Sequence, residues 1–240
     1  MNLVIDIGNT KAKIAIFNND ELLEKLTITI ENTIAEVKLL QKRFPLTNCI
    51  VSSVTKFDTN FIKEIGFQNF IRLDNITKVP FINNYKSPLT LGVDRIALAS
   101  AAVNEYPKQN VLVIDAGTCI TYDFVTENKE YLGGAISPGI DMRYKSLHTF
   151  TANLPLLEKD DFKLIGTDTQ SSIHSGILNG VVNEIEGIIN QYIDKYQTLT
   201  VVLTGGDTNF LAKKLKNTIF ANPNFLLVGL NSILTYNIDE

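Results

Sequence analysis

Cysteine is scarce in this sequence, no apolar run is long, low-complexity stretches are absent and neither sign of charge dominates. The two cysteines, Cys49 and Cys119, stand far apart and belong to no Cys-x-x-Cys pair or Cys/His cluster. A zinc site and a disulfide framework therefore lack support, and a reducing compartment fits. No apolar stretch approaches the roughly 20 residues that a membrane helix needs. The N-terminal apolar run is interrupted by Asp6 and has no basic segment before it, unlike a secretory signal. A net charge of -4 supplies no basic stripe of the kind that nucleic-acid binding requires. The chain is therefore expected to be cytoplasmic and to bind neither nucleic acid nor membrane. Any nucleotide would be held by backbone and a metal.

What is present is an ordinary globular composition, 45% hydrophobic and 20% charged over 240 residues, enough for one large domain or two small ones. The most informative feature is internal. Leu3-Val4-Ile5-Asp6-Ile7-Gly8-Asn9-Thr10 is echoed by Leu112-Val113-Ile114-Asp115-Ala116-Gly117-Thr118, each an apolar run ending in Asp followed by Gly and Thr, the pattern of a strand and a tight turn. After the first copy, Ile14 to Phe17 reads as a strand, Asn18-Asn19-Asp20 as a turn and Leu22 to Ile30 as a strand. After the second, Ile120 to Val125, Glu127-Asn128-Lys129 and Tyr131 to Ile136 repeat the scheme. Helical spacing follows at Ile34, Val37 and Leu40, and again at Ile173, Ile177, Val181, Ile185, Ile188 and Tyr192. Single strands, Cys49 to Val54 and Thr200 to Leu203, come next. The order β-β-β-α-β-α is thus used twice, with a boundary expected near residue 106, in the polar Glu105-Tyr106-Pro107-Lys108-Gln109-Asn110, giving domains 1–106 and 107–240. Ligands are expected in a cleft between the halves.

Each motif has a chemical reading. Gly8 permits a tight turn, and Asn9, Thr10 and nearby amides can donate to phosphate oxygens. Asp6 at the strand end suits Mg²⁺, which commonly takes one or two carboxylates plus substrate phosphates. Lys11 and Lys13 alternate onto one strand face and can neutralise charge. A single Gly-Asn-Thr would be read as a hairpin turn; the second copy favours the phosphate reading. Asp115 can bind a cation and Thr118 can donate to phosphate. Cys119 reads as a small packed residue, and His148 and His174 receive no catalytic role. Gly133 to Gly139 ends the second meander and precedes a helical stretch, where its amides could form an anion-binding loop at the helix start. Thr204-Gly205-Gly206-Asp207 precedes a helix expected over Thr208 to Leu215 and reads either as a close approach to a nucleoside or as a plain strand-to-helix turn. Gly92-Val93-Asp94-Arg95 opens the helix Ile96 to Ala102, where an Asp and an Arg serve as base and anion clamp, or the Asp as a cap.

Taken together, Asp6-Ile7-Gly8-Asn9-Thr10, Gly92-Val93-Asp94-Arg95, Asp115-Ala116-Gly117-Thr118, Gly133 to Gly139, Thr204-Gly205-Gly206-Asp207, Thr169 with Ser175-Gly176-Ile177, and the ending Gly229-Leu230-Asn231 resemble the type III pantothenate kinases, in the superfamily of acetate and sugar kinases, Hsp70 and actin. The resemblance implies an α/β fold of duplicated ribonuclease H-like (actin-like ATPase) domains, each a mixed sheet with helices. It implies transfer of the γ-phosphate of ATP to the primary hydroxyl of pantothenate, the first step of coenzyme A biosynthesis. It makes Asp94 the proton acceptor and places Tyr85, Gly92, Val93, Asp94 and Arg95 at the pantothenate site, with Thr169 supplied across a homodimer interface. Asp6, Ile7, Gly8, Asn9, Thr10, Lys11, Ala12, Lys13 and Thr118 look like the ATP contacts, with Mg²⁺ at Asp6. Asp115 looks like the ligand of a monovalent cation, K⁺ or NH₄⁺. The rival readings are another small-molecule kinase or phosphohydrolase of the superfamily, and a non-enzymatic accessory regulator of gene expression.

Overall fold

The computed structural model describes residues 1–238 apart from Thr10 and Lys56. In chain order the elements are β1 (Asn2–Ile7), β2 (Lys11–Asn18), β3 (Glu21–Thr29), α1 (Thr33–Arg43), β4 (Asn48–Ser53), α2 (Asn60–Lys63), β5 (Asn69–Arg72), β6 (Ile82–Asn83), α3 (Val93–Glu105), β7 (Val111–Ala116), β8 (Cys119–Val125), β9 (Glu130–Pro138), α4 (Ile140–Phe150), α5 (Thr169–His174), α6 (Gly180–Tyr196), β10 (Thr200–Thr204), α7 (Thr208–Leu211), β11 (Phe220–Ala221) and α8 (Phe225–Ile238). They gather into two compact units. The first holds Met1–Lys108, Lys129–Leu132 and the chain from Asn224 on; the second holds Gln109–Asn128 and Gly133–Pro223.

The sheet of the first unit has the order β3-β2-β1-β4-β5. β1 runs antiparallel to β2 and parallel to β4, and β2 turns back into β3 through Asn19 at φ 52, a left-handed position that asparagine tolerates. Alternation sorts the side chains. Leu3, Ile5 and Ile7 of β1, Ala12, Ile14 and Ile16 of β2, and Cys49 and Val51 of β4 form one core with Val37 and Leu40 of α1 and Ile62 of α2. The residues between them, Asn2, Val4 and Asp6, point to the other face, which α8 covers, α3 packing in turn on α8. α3 is buried almost all round, as a helix with an Ala-rich, nearly uniform apolar surface must be. Gly229 of α8 lies against the Ala97 carbonyl, where any side chain would collide.

The second sheet has the order β6-β9-β8-β7-β10-β11, in which β9-β8-β7-β10-β11 repeats the first, with β7 antiparallel to β8 and parallel to β10. The duplication read from the two Asp-x-Gly motifs is therefore a duplication of topology, the ribonuclease H-like arrangement used twice. Leu112, Ile114, Ile120, Tyr122 and Phe124 pack with Ile140 and Tyr144 of α4 and with the long helical stripe. Among the described residues no helix is long and apolar enough to cross a membrane.

Four expectations change. The strand expected over Tyr131 to Ile136 is present but runs on to Pro138, so the loop expected before the helix shrinks to Gly139; Gly134 within the strand lies flush on the backbone of Tyr122, where a side chain would not fit. The helix after Asp207 stops at Leu211. β5, β6 and β11 are additional short strands. The stripe at Ile173, Ile177, Val181 and Ile185 belongs to the core of its own unit, and a π-helical turn, Ser175–Asn179, joins α5 to α6. One internal core accounts for the stripe, so it carries no argument for a second chain.

Candidate active site

In the first unit, Asp6 stands on the face of β1 opposite the core, aligned with Lys13 on β2 and Ser52 on β4. The turn beyond it is closed by the Gly8 N–H donating to the Lys11 carbonyl at 3.0 Å. Burial raises the Asp6 carboxyl to about 6, Lys13 opposes the rise and the charge of Asp94 adds to it. Three sequence-predicted residues are thus brought into one electrostatic cluster. Ser52 was not anticipated: it is buried, and its Oγ has no hydrogen-bond partner among the described residues. Its signal lay in Val51-Ser52-Ser53 ending a strand parallel to β1. Ile7 and Ala12 turn their side chains into the core, so their backbone alone can meet a ligand. Asn9 and Lys11 are exposed, and Thr10 lies outside the described residues.

Asp94 sits in the first turn of α3, two residues past Gly92, which occupies the N-cap position. Its Oδ1 accepts from the Arg95 N–H at 2.9 Å, satisfying one of the helix's orphan donors. Oδ2 carries no hydrogen bond among the described residues. The place of the missing Cβ of Gly92 is taken by Asp94 Oδ1, so a side chain there would displace the carboxylate. Val93 is half-buried beside them. The Arg95 guanidinium, also buried, lies 5.7 Å from the Tyr85 ring centroid, a cation–π distance, and Tyr85 rests in turn on the buried Tyr131, ring centroids 6.1 Å apart. Tyr131 is a support the sequence did not reveal.

In the second unit, Asp115 is the penultimate residue of β7 and Thr118 is exposed in the turn before β8. Asp115 Oδ1 lies in a cradle of two glycines: a side chain on Gly205, at φ 96, would meet it, and a Cβ on Gly117 would stand 3.9 Å away. The Gly205-Gly206 turn continues into Asp207, whose N–H donates to the Ala116 carbonyl at 2.9 Å and whose carboxylate is paired with Lys159. That fixes Thr204-Gly205-Gly206-Asp207 as a backbone-on-backbone approach. Thr169 begins α5 behind Asp168, whose side chain accepts from the Ser171 N–H in a capping box. It lines a cavity of about 680 Å³ with Arg143, Leu147, Leu154, Ile173 and Ile177. Among the described residues no cluster of three or more His, Cys, Asp or Glu could hold a metal.

Two repeats of the same sheet, each with an Asp-x-Gly turn after its first strand, define the class: an actin-like ATPase fold of the kind that sugar kinases share. A Campylobacter jejuni structure described as a Baf family transcriptional activator matches with TM-score 0.65 at 24% identity, covering 99% of this chain and 100% of that one. A glucokinase from an Antarctic psychrotroph matches with TM-score 0.54 at 12% identity, covering 98% of each. These likenesses establish the fold. The family model for type III pantothenate kinase matches residues 2–191, and the type III pantothenate kinase of Christiangramia forsetii is 54% identical over 99% of each chain. The chain belongs to the type III pantothenate kinase family.

Proposed function

We propose that the Asp6–Asp94 cluster carries out the reaction that family membership assigns to this chain. The chain is an ATP-dependent pantothenate kinase acting in coenzyme A biosynthesis. The convergence of Asp6, Lys13 and Asp94 in one unit is the observation that supports the residue assignment. The pantothenate hydroxyl oxygen attacks the γ-phosphorus, the bond to the β,γ-bridging oxygen breaks, ADP leaves, and the hydroxyl proton passes to Asp94 Oδ2. Tyr85, Gly92, Val93 and Arg95 shape the acceptor side, Arg95 as the cation and the Tyr85 ring as its apolar wall. In phosphoryl transfer the protein mainly positions groups and stabilises charge, and Lys13 and the Gly8 turn suit the phosphate end.

Asp6 would hold Mg²⁺, which takes few carboxylates and keeps water and phosphate oxygens; one acidic side chain beside the orphaned Ser52 hydroxyl fits that habit. Bound there with ATP, the ion would neutralise phosphate charge. Asp115 would hold K⁺ or NH₄⁺, since a carboxylate oxygen in a glycine-lined cradle among backbone carbonyls offers the oxygen ligands such a cation prefers. Thr118 is assigned to ATP and Thr169 to the pantothenate site of a partner in a homodimer. ADP release measured with pantothenate and with a panel of sugars tests the reading. Turnover with pantothenate alone, abolished in Na⁺ buffer and restored by K⁺, is expected. Turnover with a sugar, or hydrolysis without an acceptor, would replace it with another activity of the superfamily. No ADP release under any condition would favour the non-enzymatic reading.

A further inference from the structure

A second set of charged groups in unit 2 was given no role in the reaction above. Glu184 on α6 accepts from Tyr122 Oη at 3.0 Å and from Arg143 Nη2 at 2.6 Å. Arg143 on α4 also donates from Nη2 to Ser137 Oγ and from Nε to the Pro138 carbonyl, both at 2.9 Å. Ser137 and Pro138 end β9, and the next residue, Gly139, donates its N–H to the Thr118 carbonyl at 3.1 Å. The approach is tight, since a side chain on Gly139 would strike the carbonyl oxygens of Gly117 and Thr118. Burial opposes ionised Glu184, yet the hydrogen bonds from Arg143, Ser137 and Tyr122 hold its carboxyl below the ordinary range. The pair is therefore ionised at neutral pH and anchored on both sides. Its far end is the backbone of the exposed Thr118 turn.

We propose that Arg143 is a positioning residue for ATP: braced by Glu184, it fixes the Pro138-Gly139 turn against the Thr118 carbonyl and so sets where the Thr118 turn presents its hydroxyl. The inference rests on the reading that Thr118 contacts ATP. Arginine is needed because its planar fork serves the Pro138 carbonyl and Glu184 in fixed directions at once, whereas the single ammonium of lysine cannot hold that geometry. Steady-state kinetics and melting of the full chain test it in Arg143→Met, Arg143→Lys, Glu184→Gln, Thr118→Ala and the Thr118→Ala/Arg143→Met double variant.

Arg143→Met should raise the KM for ATP about 3- to 30-fold, the range for residues that act through a neighbour, and by more than it raises the KM for pantothenate. Arg143→Lys should recover part of the loss. On the Thr118→Ala background the Arg143→Met penalty should shrink to less than about twofold, since residues acting through one contact are not additive. Should Arg143→Met fail to fold, Glu184→Gln carries the test, keeping its size and an acceptor for Tyr122. An unchanged KM for ATP in Arg143→Met and Glu184→Gln, or a full penalty persisting without the Thr118 hydroxyl, overturns the proposal while the Thr118 assignment stands. A Thr118→Ala variant with parental KM for ATP removes the assignment itself, and the proposal with it.

Discussion

Asp6 at the end of β1 and Asp94 in the first turn of α3 share one electrostatic neighbourhood: burial lifts the Asp6 carboxyl to about 6, Lys13 pulls against the rise, and the negative charge of Asp94 adds to it. A kinase that must gather phosphate charge and a cation benefits from a carboxylate held in this way, at a cost to the stability of the empty protein.

That cost is measurable in Asp6→Asn. Because the folded-state pKa of Asp6, about 6, lies above its ordinary value of 3.8, the protonated carboxyl contributes stability that is fully present below about 3.8 and lost as the pH rises through about 6. The gap of about two pH units corresponds to at most about 3 kcal/mol. Asp6→Asn should therefore melt above the parent at neutral pH, with the difference vanishing toward pH 4. Its activity should fall at least about 100-fold, as expected on losing a group that stabilises transferring charge. A variant that melts below the parent at neutral pH contradicts the assignment of Asp6 as a strained functional carboxylate.

Gly92 tests the placement of Asp94 without touching it. Gly92→Ala puts a methyl where Asp94 Oδ1 now lies, so the carboxylate must swing away. The backbone there, φ -59 and ψ 137, suits alanine, and removing a glycine from the unfolded chain stabilises by about 0.4–1 kcal/mol. The displaced carboxylate gives up the Arg95 N–H, which offsets that gain, so melting should stay within about 1 kcal/mol of the parent while kcat falls about 10- to 100-fold, the scale of an ångström-size misplacement. Parental kcat would show that the position of Asp94 does not matter.

The Gly229-Leu230-Asn231 ending has a structural explanation. A chain of amides runs from Asn69 to Asn48 to Asn2 to Asn231, each side chain donating to the next at 2.8–2.9 Å, and ends on the Asn19 carbonyl. It ties α8 to the ends of β1, β4 and β5. Asn231 is buried, so Asn231→Ala strands the Asn2 amide and should cost about 2–3 kcal/mol. Urea unfolding with an unchanged m-value would measure this, and the folded fraction should keep parental kcat. A loss under about 0.5 kcal/mol would mean that water replaces the relay.

Association needs a separate argument now that the stripe on α5 and α6 is accounted for internally. Phe150, Leu164 and Ile165 are 85%, 80% and 75% exposed, and covering them with a second copy would remove apolar area from water. We expect a homodimer in sedimentation at assay concentration. Mixing Asp94→Asn with Thr169→Ala, each impaired alone, should restore turnover, because one site of the mixed dimer holds both intact residues. A fully active monomer, or mixing without recovery, would remove the shared site.

The fold was legible where chemistry is local. Asn18-Asn19-Asp20 and Glu127-Asn128-Lys129 announce their hairpins, and the repeated apolar-run-Asp-x-Gly marks the first strand of each sheet. The strand over Tyr131 to Ile136 was legible, whereas its continuation to Pro138 was not, because Ser and Pro look like loop residues. Only the Tyr122 backbone beneath shows that Gly134 is there to let the strand lie close. The motifs singled out Asp6, Asp94 and Lys13, which the fold puts within electrostatic reach of one another, whereas they did not single out Ser52, Tyr131 or the Arg143–Glu184 brace. Their partners are distant in sequence, and a lone Ser, Tyr or Arg has no pattern until the sheets bring it to its neighbour.

The central claim is that Asp94 accepts the hydroxyl proton in a pantothenate kinase, and single-turnover phosphorylation of pantothenate by Asp94→Asn, with ATP binding and melting measured alongside, tests it most directly. Asparagine keeps the shape and can still accept from the Arg95 N–H. The account predicts a chemical step slowed about 100- to 10,000-fold, with ATP affinity and melting close to the parent. A variant that transfers phosphate at near-parental rate but melts well below the parent would make Asp94 a helix cap and leave the base to be found elsewhere.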